Sequence, residues 1–157
     1  MDADALNLIS QGVGRDLLEN LDQLIITPHP GEAARLLECS TDEIQADRVA
    51  AAARLQDTFG GASILKGTGT LVCYAQGERQ QVEQCAHGNP GMASGGMGDV
   101  LSGVLGGMLA QGFTLPDAAR LGVCIHSKAA DLQAQSRGER GMLATDLLDD
   151  IHRLVNP

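Results

Sequence analysis

Apolar positions along this chain fall into two alternating patterns, short continuous runs and longer stripes at helical spacing. Leu24-Ile25-Ile26-Thr27 is a brief run closed by Pro28, which reads as a buried strand ending in a turn. Pro30 suits a helix start, and the segment 31–37 that follows carries Ala33, Ala34, Leu36 and Leu37. Ser40 and Glu43 form a capping box for a helix expected to run to about Phe59. Ser63-Ile64-Leu65-Lys66 is the next strand. Leu71 to Tyr74 and Val82 to Cys85 then flank a polar segment, as in a hairpin.

The clearest periodicity lies further on. Met97, Val100, Leu101, Val104, Leu105, Met108 and Leu109 share one helical stripe. Thr114 and Asp117 bracket the start of a further helix, with Ala118, Leu121, Ile125, Ala129 and Leu132 expected on its inner side. Thr145 can cap a last helix holding Leu147, Leu148, Ile151 and Leu154.

Strands alternating with helices imply an α/β fold: a mostly parallel sheet flanked by helices, here with an antiparallel hairpin added at one edge. No repeat or internal boundary is visible, so residues 1–157 read as a single domain. Two or three parallel-strand candidates make a thin sheet beside the usual five or six strands. The expectation is that strands preceding Met1 are missing from this chain.

Composition narrows the function. A formal charge of −9 argues against a nucleic-acid groove, which needs a basic face. The four cysteines are far apart and form no C-x-x-C pair, and no apolar run approaches the ~18 residues of a membrane span. These features suit reduced thiols in a cytoplasmic protein without a structural metal. Aromatic residues are only 2%, so Leu, Ile, Val, Ala and Met must build the core.

Candidate chemistry concentrates in three stretches. In Gly88-Asn89-Pro90-Gly91-Met92-Ala93-Ser94-Gly95-Gly96-Met97-Gly98-Asp99, five glycines precede or enter the most periodic helix. Glycine lets backbone N–H groups turn toward a ligand, and a helix N-terminus adds partial positive charge. The segment Gly95, Gly96, Met97 and Gly98 therefore reads as a hole for phosphate oxygens or a developing anion. Asp99 follows in the first turn, opposite the apolar stripe, with Gly103 and Gly106 on its face. Its carboxylate could take a proton from a substrate hydroxyl. It could equally do no more than complement the helix dipole.

Lys66-Gly67-Thr68-Gly69-Thr70 sets donors at a strand end, as a phosphate loop would, although an ordinary tight turn with a solvated lysine fits too. The G-K-[ST] order of a Walker A loop is absent. Thr27-Pro28-His29-Pro30-Gly31-Glu32 holds His29 between two prolines, either as a substrate contact or as a structural turn. Glu32 reads as a first-turn helix acid, and His87, His126 and His152 as surface or core residues.

Together TPHPGE, LKGTGT and GNPGMASGGMGDVLSG, in this order, closely resemble the ADP-dependent NAD(P)H-hydrate dehydratases of the ribokinase-like superfamily. DADALN and RGMLATDLL fit the same pattern, so the resemblance covers essentially the whole chain. It implies the C-terminal portion of a ribokinase-like domain, with the family's upstream strands absent. It further implies a repair lyase that returns the hydrated cofactors (S)-NADHX and NADPHX to NADH and NADPH at the expense of ADP or ATP, with Mg²⁺ bridging the phosphates. Carried over by motif, Lys66, Gly67, Thr68, Gly69, Thr70 and Gly98 would contact the nucleotide. His29 and Asp99 would contact the hydrated cofactor, with Asp99 activating its hydroxyl. A ribokinase-like kinase for a small alcohol would share the anion hole and the Asp. A catalytically incomplete fragment that self-associates through an open sheet edge is the non-enzymatic alternative, and a homo-oligomer is expected.

Overall fold

The computed structural model describes residues 1–21 and 23–156, leaving out the side chains at 17, 19 and 20. It divides into two compact units, Met1–Gln84 and Cys85–Pro157.

The first unit is built on a sheet in the order β1 (Ile25–Ile26), β2 (Ala62–Leu65), β3 (Leu71–Gln76) and β4 (Arg79–Gln84). The sheet is mixed rather than mostly parallel. β1 pairs β2 in parallel, whereas β2–β3 and β3–β4 are antiparallel, because the hairpin contributes two of the three pairings. The hairpin is longer than the apolar pattern indicates. Its strands run through the polar residues 75–81 and turn at Gly77, whose φ is +63°. Backbone pairing and not side-chain burial extends them: residues 75–80 are exposed.

Helices α1 (Ala3–Ser10), α2 (Pro30–Leu36), α3 (Thr41–Ala46) and α4 (Arg48–Phe59) complete this unit. α1 has no counterpart in the periodicity reading, since only Leu6 and Ile9 of its eight residues are buried. The capping box of Ser40 and Glu43 is present, but its helix stops at Ala46. Asp47 leaves the helical region at φ −144°, ψ 83° and caps a new helix by accepting from Ala50 N at 2.9 Å. The expected single helix to Phe59 is therefore two. Ala51, Ala52 and Leu55 of α4 join Ile26, Leu65 and Cys73 of the sheet in the core. The buried Ser63 hydroxyl donates to Ala52 O at 2.8 Å.

α2 ends in a Schellman turn. Cys39 N donates to Ala34 O at 2.9 Å and Glu38 N to Arg35 O at 3.3 Å. Glu38 occupies the left-handed position at φ +53°, where an L side chain costs about 1–2 kcal/mol. Glu38→Gly should stabilise the protein by about 0.5–1 kcal/mol, after the extra freedom of glycine in the unfolded chain is deducted. A urea midpoint that stays put or falls would contradict that assignment.

The second unit is helical, with α5 (Met97–Ala110), α6 (Leu115–Arg137) and α7 (Leu148–Val155), a short 3₁₀ turn at Pro90–Met92 before α5 and another at Ala144–Leu147 before α7. Met97, Leu101, Leu105 and Met108 form the buried edge of α5. Gly122 of α6 lies under Leu105: a Cβ there would stand 2.7 Å from that side chain. The inner face of α6 is rotated from the expected one. Leu121 is 44% exposed, while Gly122, Val123, His126, Ala129, Ala130 and Gln133 are buried. Helix α5 approaches so closely that small residues, not large ones, mark the contact. The last helix has no side-chain cap, so Thr145 does not fill the role expected of it; the 3₁₀ turn before it is held instead by Leu143 N donating to Asp146 Oδ2 at 2.8 Å. Leu147 is fully buried and Leu148 is 52% exposed.

Candidate active site

In the first unit the chain leaves the parallel strands β1 and β2 at adjacent ends, and Lys66 N donates to Pro28 O at 2.9 Å just beyond them. This brings the TPHPGE turn and the Lys66–Thr70 loop together. His29 caps α2. Its Nδ1 accepts from Gly31 N at 3.0 Å and Glu32 N at 3.3 Å, while Glu32 Oε2 accepts from His29 N at 2.7 Å. Nδ1 therefore carries the lone pair, and in the neutral ring the proton sits on Nε2. That edge of the ring lies 3.5 Å from Glu32 Oε1, on a side chain 52% exposed. The imidazole is thus a structural cap, and its half-exposed outer edge lies beside the Glu32 carboxylate.

Glu32 is 5% exposed. Its carboxylate is 3.9 Å from Lys66 Nζ, which forms a closer ion pair with Asp2 at 2.6 Å. Burial pushes the Asp2 carboxyl up, but the Lys66 ammonium, the Ala3 amide and the Thr27 hydroxyl outweigh it and hold it below the ordinary range. A carboxyl lowered on folding contributes stability above its unfolded value, near pH ~4, and loses that contribution as pH falls through the folded value. Asp2→Asn should therefore flatten the acid limb of a profile of Tm against pH. An acid limb identical to that of the parent would show that the pair contributes nothing.

The Lys66–Thr70 loop owes its shape to Arg48, a residue that sequence reasoning missed. The guanidinium at the first position of α4 donates to Thr68 O, to Leu65 O at 3.2 Å and to Lys66 O at 3.3 Å. Arg48 thus gathers loop carbonyls on one side. Among the described residues, the amides of Gly67, Thr68 and Gly69 donate no hydrogen bond. Thr70 Oγ1 closes the loop on Gly67 O at 3.1 Å. Carbonyls neutralised on one side and amides left free are what an anion-facing loop requires.

In the second unit α5 begins without a side-chain cap. Gly96, the N-cap, has φ +87°, a conformation glycine adopts without cost, and a Cβ there would press on Ala144 at 3.2 Å. Val100 N is the first amide to find an intrahelical acceptor, Gly96 O at 3.0 Å. The amides of Met97, Gly98 and Asp99 have none among the described residues. Nothing would obstruct a Cβ at Gly95, so the tip is open. Asp99 is exposed, and its side chain makes no hydrogen bond or ion pair among the described residues. Gly103 and Gly106 on the same face are exposed and equally clear of neighbours. An uncapped helix start of this kind favours negative charge, and a free carboxylate in its first turn can accept a proton.

The sequence profile of the family described as NAD(P)H-hydrate dehydratase matches residues 1–153. The bifunctional NAD(P)H-hydrate repair enzyme Nnr of Vibrio cholerae is 51% identical over 99% of this chain, which spans 30% of that enzyme's length. A crystal structure of the ADP/ATP-dependent NAD(P)H-hydrate dehydratase of Bacillus subtilis, co-crystallised with ATP/Mg²⁺ and soaked with CoA, superposes with TM-score 0.77 at 29% identity. That match covers 85% of this chain and 48% of the other. A ribokinase-like superfamily protein of Enterococcus faecalis gives TM-score 0.76 at 30% identity over 98% of this chain and 50% of its own. The fold is ribokinase-like α/β.

Proposed function

The chain belongs to the NAD(P)H-hydrate dehydratase family, and from that premise we propose that it supplies the C-terminal part of a dehydratase that converts (S)-NADHX and NADPHX to NADH and NADPH with ADP or ATP as co-substrate. The observation that carries this reading is the open tip of α5, where unpaired amides adjoin the exposed carboxylate of Asp99.

The Gly95–Gly98 backbone holds the phosphoryl group that is to move, and Gly98 adds a nucleotide contact. Asp99 accepts the proton of the substrate hydroxyl as its oxygen attacks the β-phosphorus of ADP. The bond from that phosphorus to the bridging oxygen breaks and AMP departs. The new phosphate ester then leaves with the carbon–oxygen electron pair while the neighbouring carbon gives up a proton, which restores the double bond of the nicotinamide ring. The amides stabilise the charge that builds on the phosphoryl oxygens during transfer. In the first unit, the free amides of the Lys66–Thr70 loop serve the nucleotide, and the outer edge of His29 serves the hydrated cofactor. Lys66 shapes that region through its ion pair with Asp2.

Among the described residues no group of three or more His, Cys, Asp or Glu could hold a metal. Mg²⁺ commonly takes only one or two carboxylates together with water and phosphate oxygens, so it would arrive on the nucleotide phosphates. Substrates of this class and unpaired thiols suit a cytoplasmic enzyme. Among the described residues no helix is long and apolar enough to cross a membrane.

Product analysis in the full-length protein tests the reading. Incubation with ADP and hydrated NADPH should restore the near-ultraviolet absorbance of reduced nicotinamide and release free phosphate and AMP. Accumulation of a stable phosphorylated product would mark a small-alcohol kinase instead.

A further inference from the structure

We propose that Asp131, in the C-terminal half of α6, is a positioning residue that latches loop 87–91 and so fixes how the chain enters the glycine-rich tip of α5. The proposal deepens the reading of that tip as an anion site and rests on it. The Asp131 carboxylate receives three donors from a segment some forty residues away in sequence. Gly88 N approaches its two oxygens at 3.1 and 3.2 Å, and Asn89 Nδ2 donates to Oδ1 at 3.1 Å. His87 Nδ1 lies 3.3 Å from Oδ2.

Asn89 passes the constraint onward, because its Oδ1 accepts from Gly91 N at 3.0 Å. Gly91 is pressed against α6's outgoing chain: a Cβ there would stand 2.6 Å from Glu139 O. Gly88 has φ +111° and its would-be Cβ faces Met92 Sδ at 3.2 Å. Loop 87–92 is therefore held on both flanks, and only the short segment 93–96 separates it from the unpaired amides of α5.

Only a group with acceptors and no donor satisfies this arrangement, and a carboxylate is that group. Burial pushes the Asp131 carboxyl up, yet the Asn89 amide, the Gly88 N–H and the His87 ring outweigh it and keep it below the ordinary range. An amide in its place keeps at best one acceptor oxygen, at the Oδ1 position, for Asn89 Nδ2 and Gly88 N, and it loses both the charge and the second acceptor that faces Gly88 N and the His87 ring. Losing such a latch lets the tip drift, and a misplacement of about 1 Å at a reacting centre can cost on the order of 100-fold in rate.

Asp131→Asn in the full-length protein is the test, read by hydrogen exchange at the hydrogen-bonded amides of Gly88, Gly91, Met92 and Ala93, by kcat and the KM for ADP, and by thermal unfolding. The expected result is exchange at those amides about tenfold faster or more, together with kcat lowered on the order of 10–100-fold. Asp131→Glu, which keeps the charge, should recover part of both. A residue that only stabilised the fold would lower Tm and leave exchange at those four amides and kcat of the folded protein unchanged, and that result overturns the proposal. If Asp131→Asn does not fold, Asn89→Ala removes the relay from the loop side and must loosen the same amides, or the proposal fails. Exchange is read without substrate, so absence of dehydratase turnover in the parent enzyme would sink the functional reading and leave the latch to be judged on exchange alone.

Discussion

Asp99→Asn should lower turnover by about 10²–10⁴-fold, the range that a positioned general base contributes, while ADP affinity stays within a few-fold. The change keeps the shape of the side chain and removes its ability to take a proton. The exposed carboxylate has no structural partner among the described residues, so the substitution should leave folding intact. That separates the catalytic role from complementation of the helix dipole, which Asn would cost only some tenths of a kcal/mol. Steady-state kinetics with calorimetric ADP binding decides the matter. Turnover retained in the Asn variant would remove Asp99 from the mechanism.

Gly61→Ala should be strongly destabilising. Gly61 joins α4 to β2 at φ +60°, and its would-be Cβ stands 2.1 Å from Leu24 O and 3.0 Å from Leu24 C. The same carbonyl accepts from Ala62 N at 2.9 Å, so it cannot retreat without breaking the start of the β1–β2 pairing. The left-handed backbone alone costs alanine about 1–2 kcal/mol, and overpacking adds about 1–3 kcal/mol. A total of about 3 kcal/mol or more is a large share of the 5–15 kcal/mol typical of a folded domain. Urea unfolding followed by circular dichroism measures it, and a midpoint within error of the parent would contradict the close approach.

Where the residues carry strong local signals, sequence and structure agree. The α5 stripe, the Ser40–Glu43 capping box and the hairpin all rest on interactions between near neighbours in the chain, and such interactions leave a pattern. What was not legible depends on partners distant in sequence. Asp47 is the exception: it ends one helix and caps the next through Ala50, three residues on, within a stretch whose side chains also suit a single helix. Leu121 points outward because α5 packs on Gly122 so closely that only a small residue fits. At the candidate site the glycines, Asp99 and His29 stand out by composition and spacing. Arg48 and Asp131 do not: each acts through backbone groups seventeen or more residues away, and nothing beside them in the sequence marks the contact. Asn89 before Pro90 was the one available hint, as a turn-forming pair next to the glycines.

A crystal structure of the full-length protein with ADP bound puts the central claim to the most direct test. The account predicts phosphate oxygens within about 3 Å of the amide nitrogens between Gly96 and Asp99, with the Asp99 carboxylate free to face the hydroxyl that is to be phosphorylated. Phosphates seated elsewhere, with those amides left to solvent, would contradict it.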